Sequence, residues 1–201
     1  MTAETVINPD NSSIKITQEH LVSFCESLRS TYRQIKALIT TERANVDKTL
    51  AKAHRYELLQ KALPETTPYS SAQVDHIRIE CLHEINNRLI ATGELVTELV
   101  KGYHKVLRNY QGLERVCNRI DDLQGSDLIA GNERRKPLEW YLRVGFRIVH
   151  NLNDLVIRFK LTFKAIDIQE VNSIQRFKDC LKIPDEIDMY LQEFLMYAVF
   201  I

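Results

Sequence analysis

The stretch HEINN, His83 to Asn87, comes nearest to reactive chemistry in this chain. Two histidines four residues apart on a helix can bind zinc while the glutamate between them serves as a base, and His83 with Glu84 begins that pattern. Asn87 stands where the second histidine would be, and an amide is a poor zinc ligand. Glu80 and His83 also match the Glu-x-x-His spacing of di-iron bundles, with His76 on the same helical side. Such a site needs a second copy of the motif, and the sequence holds none. The expectation is a set of solvated polar residues on the outer face of a helix, with no catalytic residue, no metal and no cofactor.

The remaining candidates are weaker. The sequence has no glycine-rich phosphate loop and no Gly-x-Ser-x-Gly elbow. Cys25, Cys81, Cys117 and Cys180 are scattered without paired spacing, which fits an intracellular, reduced protein. Cys25 and Cys117 fall on apolar seams, where free cysteine packs as a small hydrophobe. His150 has apolar sequence neighbours and reads as a hydrogen-bonded structural histidine. NERRKP (Asn132 to Pro137) carries Arg134, Arg135 and Lys136, a solvated basic loop or a small phosphate-binding or nuclear-import patch. Lys plus Arg is 27 and Asp plus Glu is 27, so there is no basic excess to neutralise a phosphate backbone, and direct nucleic-acid binding is not expected.

Glycine (6) and proline (5) are rare and helix-forming residues abundant, which points to an all-α fold. Residues 1–16 read as a flexible arm without a signal-peptide core. The longest apolar run, FLMYAVFI, falls far short of the roughly 20 residues needed to span a bilayer, so no membrane partner is expected. The spacing predicts a first helix opening at Thr17, with Ile16 and Leu21 as a hydrophobic staple. Its heptad seam runs Leu21, Cys25, Leu28, Tyr32, Ile35, Ile39, Glu42, Val46, Thr49, Ala53 and Tyr56, with Glu42 and Thr49 as polar exceptions. PETTPYSS breaks it, and Ser70 with Gln73 forms a capping box for a second helix. That seam runs Leu82, Ile85, Leu89, Thr92, Val96, Leu99, Tyr103, Val106, Tyr110, Leu113, Cys117 and Ile120, with Thr92 the one polar member. Residues 17–120 therefore read as a long antiparallel, coiled-coil-like hairpin, and 121–136 as a polar loop.

Residues 137–201 read as a C-terminal bundle of about three helices. Pro137 suits the first turn of a helix reaching about Ile166, a second covers roughly Val171 to Lys182, and Pro184 opens the last. The last helix turns Ile187, Tyr190, Leu191, Phe194, Leu195 and Ala198 toward a core. The helix from Pro137 is apolar over more than one face. One seam is Leu138, Tyr141, Ile148, Leu152, Leu155, Phe159 and Ile166; a second is Leu142, Val149, Val156 and Phe163. Trp140, Val144, Ile157 and Leu161 add surface beyond both. Either this is a central helix wrapped on all sides, or part of it stays open for a partner. On the second reading the contact residues are Trp140, Phe159, Phe163, Phe177, Phe194 and Phe200, aromatics at helical spacing of the kind that anchor interfaces. The apolar run LMYAVFI must likewise be covered by its own core or by another chain.

Leu138-Glu139-Trp140 opening a helix, the basic-aromatic run RFKLTFKAIDIQEVNSIQRF (Arg158 to Phe177) and LERVCNRI (Leu113 to Ile120) resemble the AIRIM ribosome maturation factor family. The resemblance rests on the segment from about Leu113 onward. It implies a non-enzymatic adaptor that joins a second small helical subunit, the cyclin-dependent-kinase-interacting protein, and recruits hexameric AAA+ ATPases of the spermatogenesis-associated type. It further implies a role in maturing the large ribosomal subunit, contact with pre-ribosomal particles, protein remodelling on chromatin, and a cytoplasmic and nuclear location. The heptads alone fit equally a structural coiled-coil subunit of a spindle, kinetochore or tethering complex.

Overall fold

The computed structural model describes residues 10–61, 68–118 and 127–201, which are helices and short connections with no strand among them. Six α-helices follow in order: α1 Asp10–Lys61, α2 Ser71–Cys117, α3 Asp127–Ala130, α4 Leu138–Lys164, α5 Val171–Cys180 and α6 Asp185–Tyr197. A 3₁₀ turn, Ala198–Phe200, closes the series. The two long helices pack against each other as an antiparallel hairpin, with the C-terminal helices grouped on it.

The chain divides into two compact units, and α1, α2 and α4 each contribute to both. The first unit combines the α1 residues up to Arg33 with Lys101–Asn153 and Pro184–Ile201. The second combines Gln34–Val100 with Asp154–Ile183. In the first, Asn109 on α2 donates its amide to the carbonyl of Ser23 at 3.0 Å, and Gly112 lies against His20. In the second, Lys52 meets Glu84 at 2.7 Å and Arg78 donates to the Leu59 carbonyl. Within each unit, later α1 residues meet earlier α2 residues, as antiparallel pairing requires.

Helix α2 begins as its sequence dictates. The Ser70 amide donates to Gln73 Oε1 at 2.9 Å, and the Gln73 amide returns a bond to Ser70 Oγ at 3.4 Å, satisfying two orphan donors reciprocally. Helix α1 departs from expectation. It starts at Asp10, so Thr17 is no cap: it is buried, and its hydroxyl donates back to the Ser13 carbonyl at 2.9 Å. Ile16 is exposed and staples nothing. The residues Asp10, Asn11, Ser12 and Ser13 are themselves helix-starting types, which favours the earlier onset.

The seams are buried at most but not all of the heptad positions: Ile39, Tyr56, Leu82, Leu89 and Cys117 are half-buried, and Leu38 and Cys81 are buried beside the expected Ile39 and Leu82. Leu21, Leu28 and Ile35 on α1 and Ile85, Val106 and Leu113 on α2 are among the fully buried residues. Ile120 lies outside the described residues. The polar seam members of the second unit meet one another: the Thr92 hydroxyl donates to Glu42 Oε2, while the Asn45 amide donates to Glu42 Oε1 at 3.0 Å. Glu42 is 1 % exposed and Thr92 3 %, so this is a buried polar contact inside an aliphatic seam. Thr49 turns its hydroxyl to the Asn45 carbonyl one turn below, at 2.9 Å.

The segment expected as a polar loop is partly built. Leu128 on α3 is buried, and Gly131 ends that turn with φ of 73°, where a Cβ would meet the Arg135 carbonyl oxygen at 2.8 Å. Asn132 Oδ1 accepts from the Arg134 and Arg135 amides at 3.0 and 2.9 Å, folding NERRK into a tight turn. The Pro137 carbonyl accepts from the Trp140 amide at 3.0 Å and starts α4.

Candidate interaction surface

Phe194 holds α6 in place. Its fully buried ring stacks on Trp140 at 5.6 Å with 13° between planes, and meets Tyr141 at 5.6 Å and Phe24 at 5.7 Å edge-on. Phe24 in turn meets Tyr110 edge-on at 5.3 Å. Gly145 lets α4 approach this cluster, since a Cβ there would lie 3.0 Å from Phe24 and 3.2 Å from Tyr110. The turn after α6 is tied twice: the Tyr141 hydroxyl donates to the Tyr197 carbonyl at 3.2 Å, and the Gln18 amide to the Ile201 carbonyl at 2.7 Å. Lys136 stands 4.4 Å above the Tyr197 ring and 5.9 Å from that of Trp140. Of the basic loop's three charges, that of Lys136 is thus used within the first unit. On the flank of α6, Asp188 accepts from the Tyr32 hydroxyl and the Gln192 amide. Burial pushes the Tyr141 phenol and the Cys25 thiol each up to about 12, so both stay protonated as packing groups.

The outward face of α6 is a second stripe at alternating four- and three-residue steps: Asp185, Met189, Gln192, Met196 and, in the 3₁₀ turn, Val199. Met189 is 59 % exposed, Met196 56 %, Val199 68 % and the adjoining Phe200 50 %. Glu186 and Glu193 border this stripe and, like Asp185 at its start, are exposed. On the same unit, Phe146 of α4 stands exposed over a cleft of about 290 Å³ lined by Tyr103, Tyr110, Glu114 and His150. His150 is exposed there, beside the apolar Phe146 and Val149.

The six aromatics expected at a partner contact do not form one surface. Phe159, Phe177 and Phe194 are fully buried in their own cores, Trp140 and Phe163 are half-buried, and only Phe200 is exposed. Phe163 packs edge-on against Phe177 at 5.5 Å and covers Gly93 of α2 in the second unit. Packing consumes three of the six completely, because an aromatic on a seam serves a core as readily as a partner. In the same unit Ile157 and Leu161 of α4 do remain exposed.

The matched residues of HEINN are also spoken for. His83 Nδ1 and Asn87 Nδ2 lie 2.8 Å apart, and the bond from Lys52 holds the Glu84 carboxyl below its ordinary range. Among the described residues no three His, Cys, Asp or Glu side chains group as metal ligands, and no helix is long and apolar enough to cross a membrane.

This chain matches no family model, no curated protein and no solved structure.

Among the described residues the α6 face gathers four exposed apolar side chains in one short segment, where the exposed pair Ile157 and Leu161 on α4 gathers two. Exposed Ile79 and Ile90 on α2 and Leu58 on α1 are separated along their helices, and single exposed apolar residues are ordinary. Four exposed apolar side chains within residues 189–200, on a helix locked down by a buried aromatic cluster, make a presented surface.

Proposed function

We propose that this chain is a non-enzymatic helical adaptor that joins a AAA+ ATPase complex acting in large ribosomal subunit maturation and protein remodelling. The resemblance of Leu138–Trp140 and Arg158–Phe177 to the AIRIM family supplies the partners: the ATPase, a second small helical subunit and pre-ribosomal particles, in cytoplasm and nucleus. The observation that supports an adaptor is the outward apolar face of α6 and its following turn, Met189, Met196, Val199 and Phe200, presented on a rigid aromatic base.

Affinity purification of the tagged chain, beside a Met196→Glu, Phe200→Glu variant that retains its helical circular dichroism, tests the reading. The wild type is expected to bring down a AAA+ ATPase, the second helical subunit and large-subunit precursors, and the variant to lose them. Recovery of only cytoskeletal or tethering subunits would replace this reading with that of a structural coiled-coil subunit.

A further inference from the structure

The face of α6 has a chemical character beyond being apolar. At 100° per residue, Asp185 falls about 30° to one side of the line through Met189 and Met196, and Glu193 and Glu186 about 50° and about 70° to the other. Residues 185–200 contain no lysine or arginine. The cations recorded against this helix lie off the stripe, Lys136 over Tyr197 and Trp140, and Arg147, beside Arg143, over Tyr190 at 5.7 Å. The stripe is therefore a row of flexible thioethers between carboxylates, and its four-three spacing is that of one helix meeting another.

We propose that this face docks an amphipathic partner helix whose apolar stripe is flanked by lysines or arginines, an assignment that rests on the adaptor reading above. The methionines adapt to the partner's aliphatic side chains, and the carboxylates select its charge and speed the encounter. From Met189 to Val199 the stripe offers about 15 Å, enough for three turns of such a helix. Asp188 takes no part in selection, since Tyr32 and Gln192 already hold it; it fixes the helix that presents the others.

The test is fluorescence anisotropy of the full chain with two labelled peptides of about 18 residues, built on one leucine stripe and flanked only by lysines or only by glutamates. The lysine peptide is expected to bind at least about tenfold more tightly, and to weaken as salt rises from about 50 to about 500 mM. Met189→Glu with Met196→Glu abolishes its binding, and Glu186→Lys with Glu193→Lys reverses the preference between the peptides. Equal binding of both peptides, or binding that neither pair of substitutions changes, overturns the proposal. Should the methionine variant lose helical signal, the charge reversal at two exposed positions decides alone. Selective peptide binding without recovery of an ATPase keeps this docking face and removes the adaptor assignment. The opposite pair of results does the reverse.

Discussion

Replacing Thr92 by valine asks what the buried contact with Glu42 contributes. The substitution nearly preserves shape but removes the donor to Glu42 Oε2, leaving that oxygen inside a seam where Glu42 is 1 % exposed. Asn45 still serves the other oxygen at 3.0 Å. One buried acceptor without its donor costs about 1–3 kcal/mol. Glu42→Leu is milder, because the Thr92 hydroxyl has the Arg88 carbonyl at 3.0 Å to fall back on and half-buried Asn45 can reach water. Its expected cost is about 0–1 kcal/mol. With both substitutions no buried polar atom of the pair is left unmatched, and the aliphatic pair should come within about 1 kcal/mol of the native chain. The cycle therefore predicts a coupling of about 1–3 kcal/mol, with the double variant more stable than Thr92→Val alone. Urea unfolding of the four proteins, followed by circular dichroism, measures it. Additivity within about 0.5 kcal/mol would refute the reasoning, since it would mean the two groups do not depend on each other.

Gly145→Ala should cost about 1–3 kcal/mol in thermal or urea unfolding, because its methyl would sit 3.0 Å from the Phe24 ring in a fully packed cluster; an unchanged midpoint would show that α4 can shift away. Phe194→Ala removes three aromatic contacts and should cost about 3–5 kcal/mol, whereas Phe200→Ala, at half exposure, should stay within about 0.5 kcal/mol. The two variants together separate the core role from the surface role. Alkaline pH should weaken the first unit. Cys25 and Tyr141 ionise from ordinary values of 9.0 and 10.0 when unfolded but only near 12 when folded. Above about pH 9 the unfolded chain binds fewer protons than the native one, so stability is complete below that value and declines toward pH 12. Urea midpoints from about pH 8 to about pH 11 check this, and Cys25→Ser should flatten the earlier part of the decline.

Much of the fold was legible because a heptad seam states both helix and partner at once. The α1 and α2 seams needed only alternation of four and three, and the capping box at Ser70 and Gln73 marked the start of α2 to the residue. The opening of α1 was misread because Thr17 is a good cap by type, while Ile14 and Ile16, two residues apart, show no helical seam in the turns from Asp10 that precede it. That Glu42 faces Thr92 was out of reach: the sequence shows a polar exception on each seam, but their meeting depends on the register between helices. The aromatics failed for a different reason. Trp140, Phe159 and Phe194 have the spacing and the area of interface anchors, and a folded core selects the same properties. The exposed methionines could have been found by asking what lies opposite Leu191 and Phe194, since Met189 and Met196 fall there by helical geometry alone.

The contact between Phe24 and Phe194 also sets an order of events during synthesis. At about 5–20 residues per second, roughly 10–30 s separate the making of the first ring from the making of the second. Once α2 is made, α1 and α2 can zip along their seams and bring Phe24 onto Tyr110, but the side of Phe24 that Phe194 covers stays open to water and to every other nascent chain nearby. The first unit is then a sticky half-core for longer than its helices take to form. Until Phe194 arrives, that half-core is exposed apolar surface of the kind that makes a nascent chain prone to aggregate.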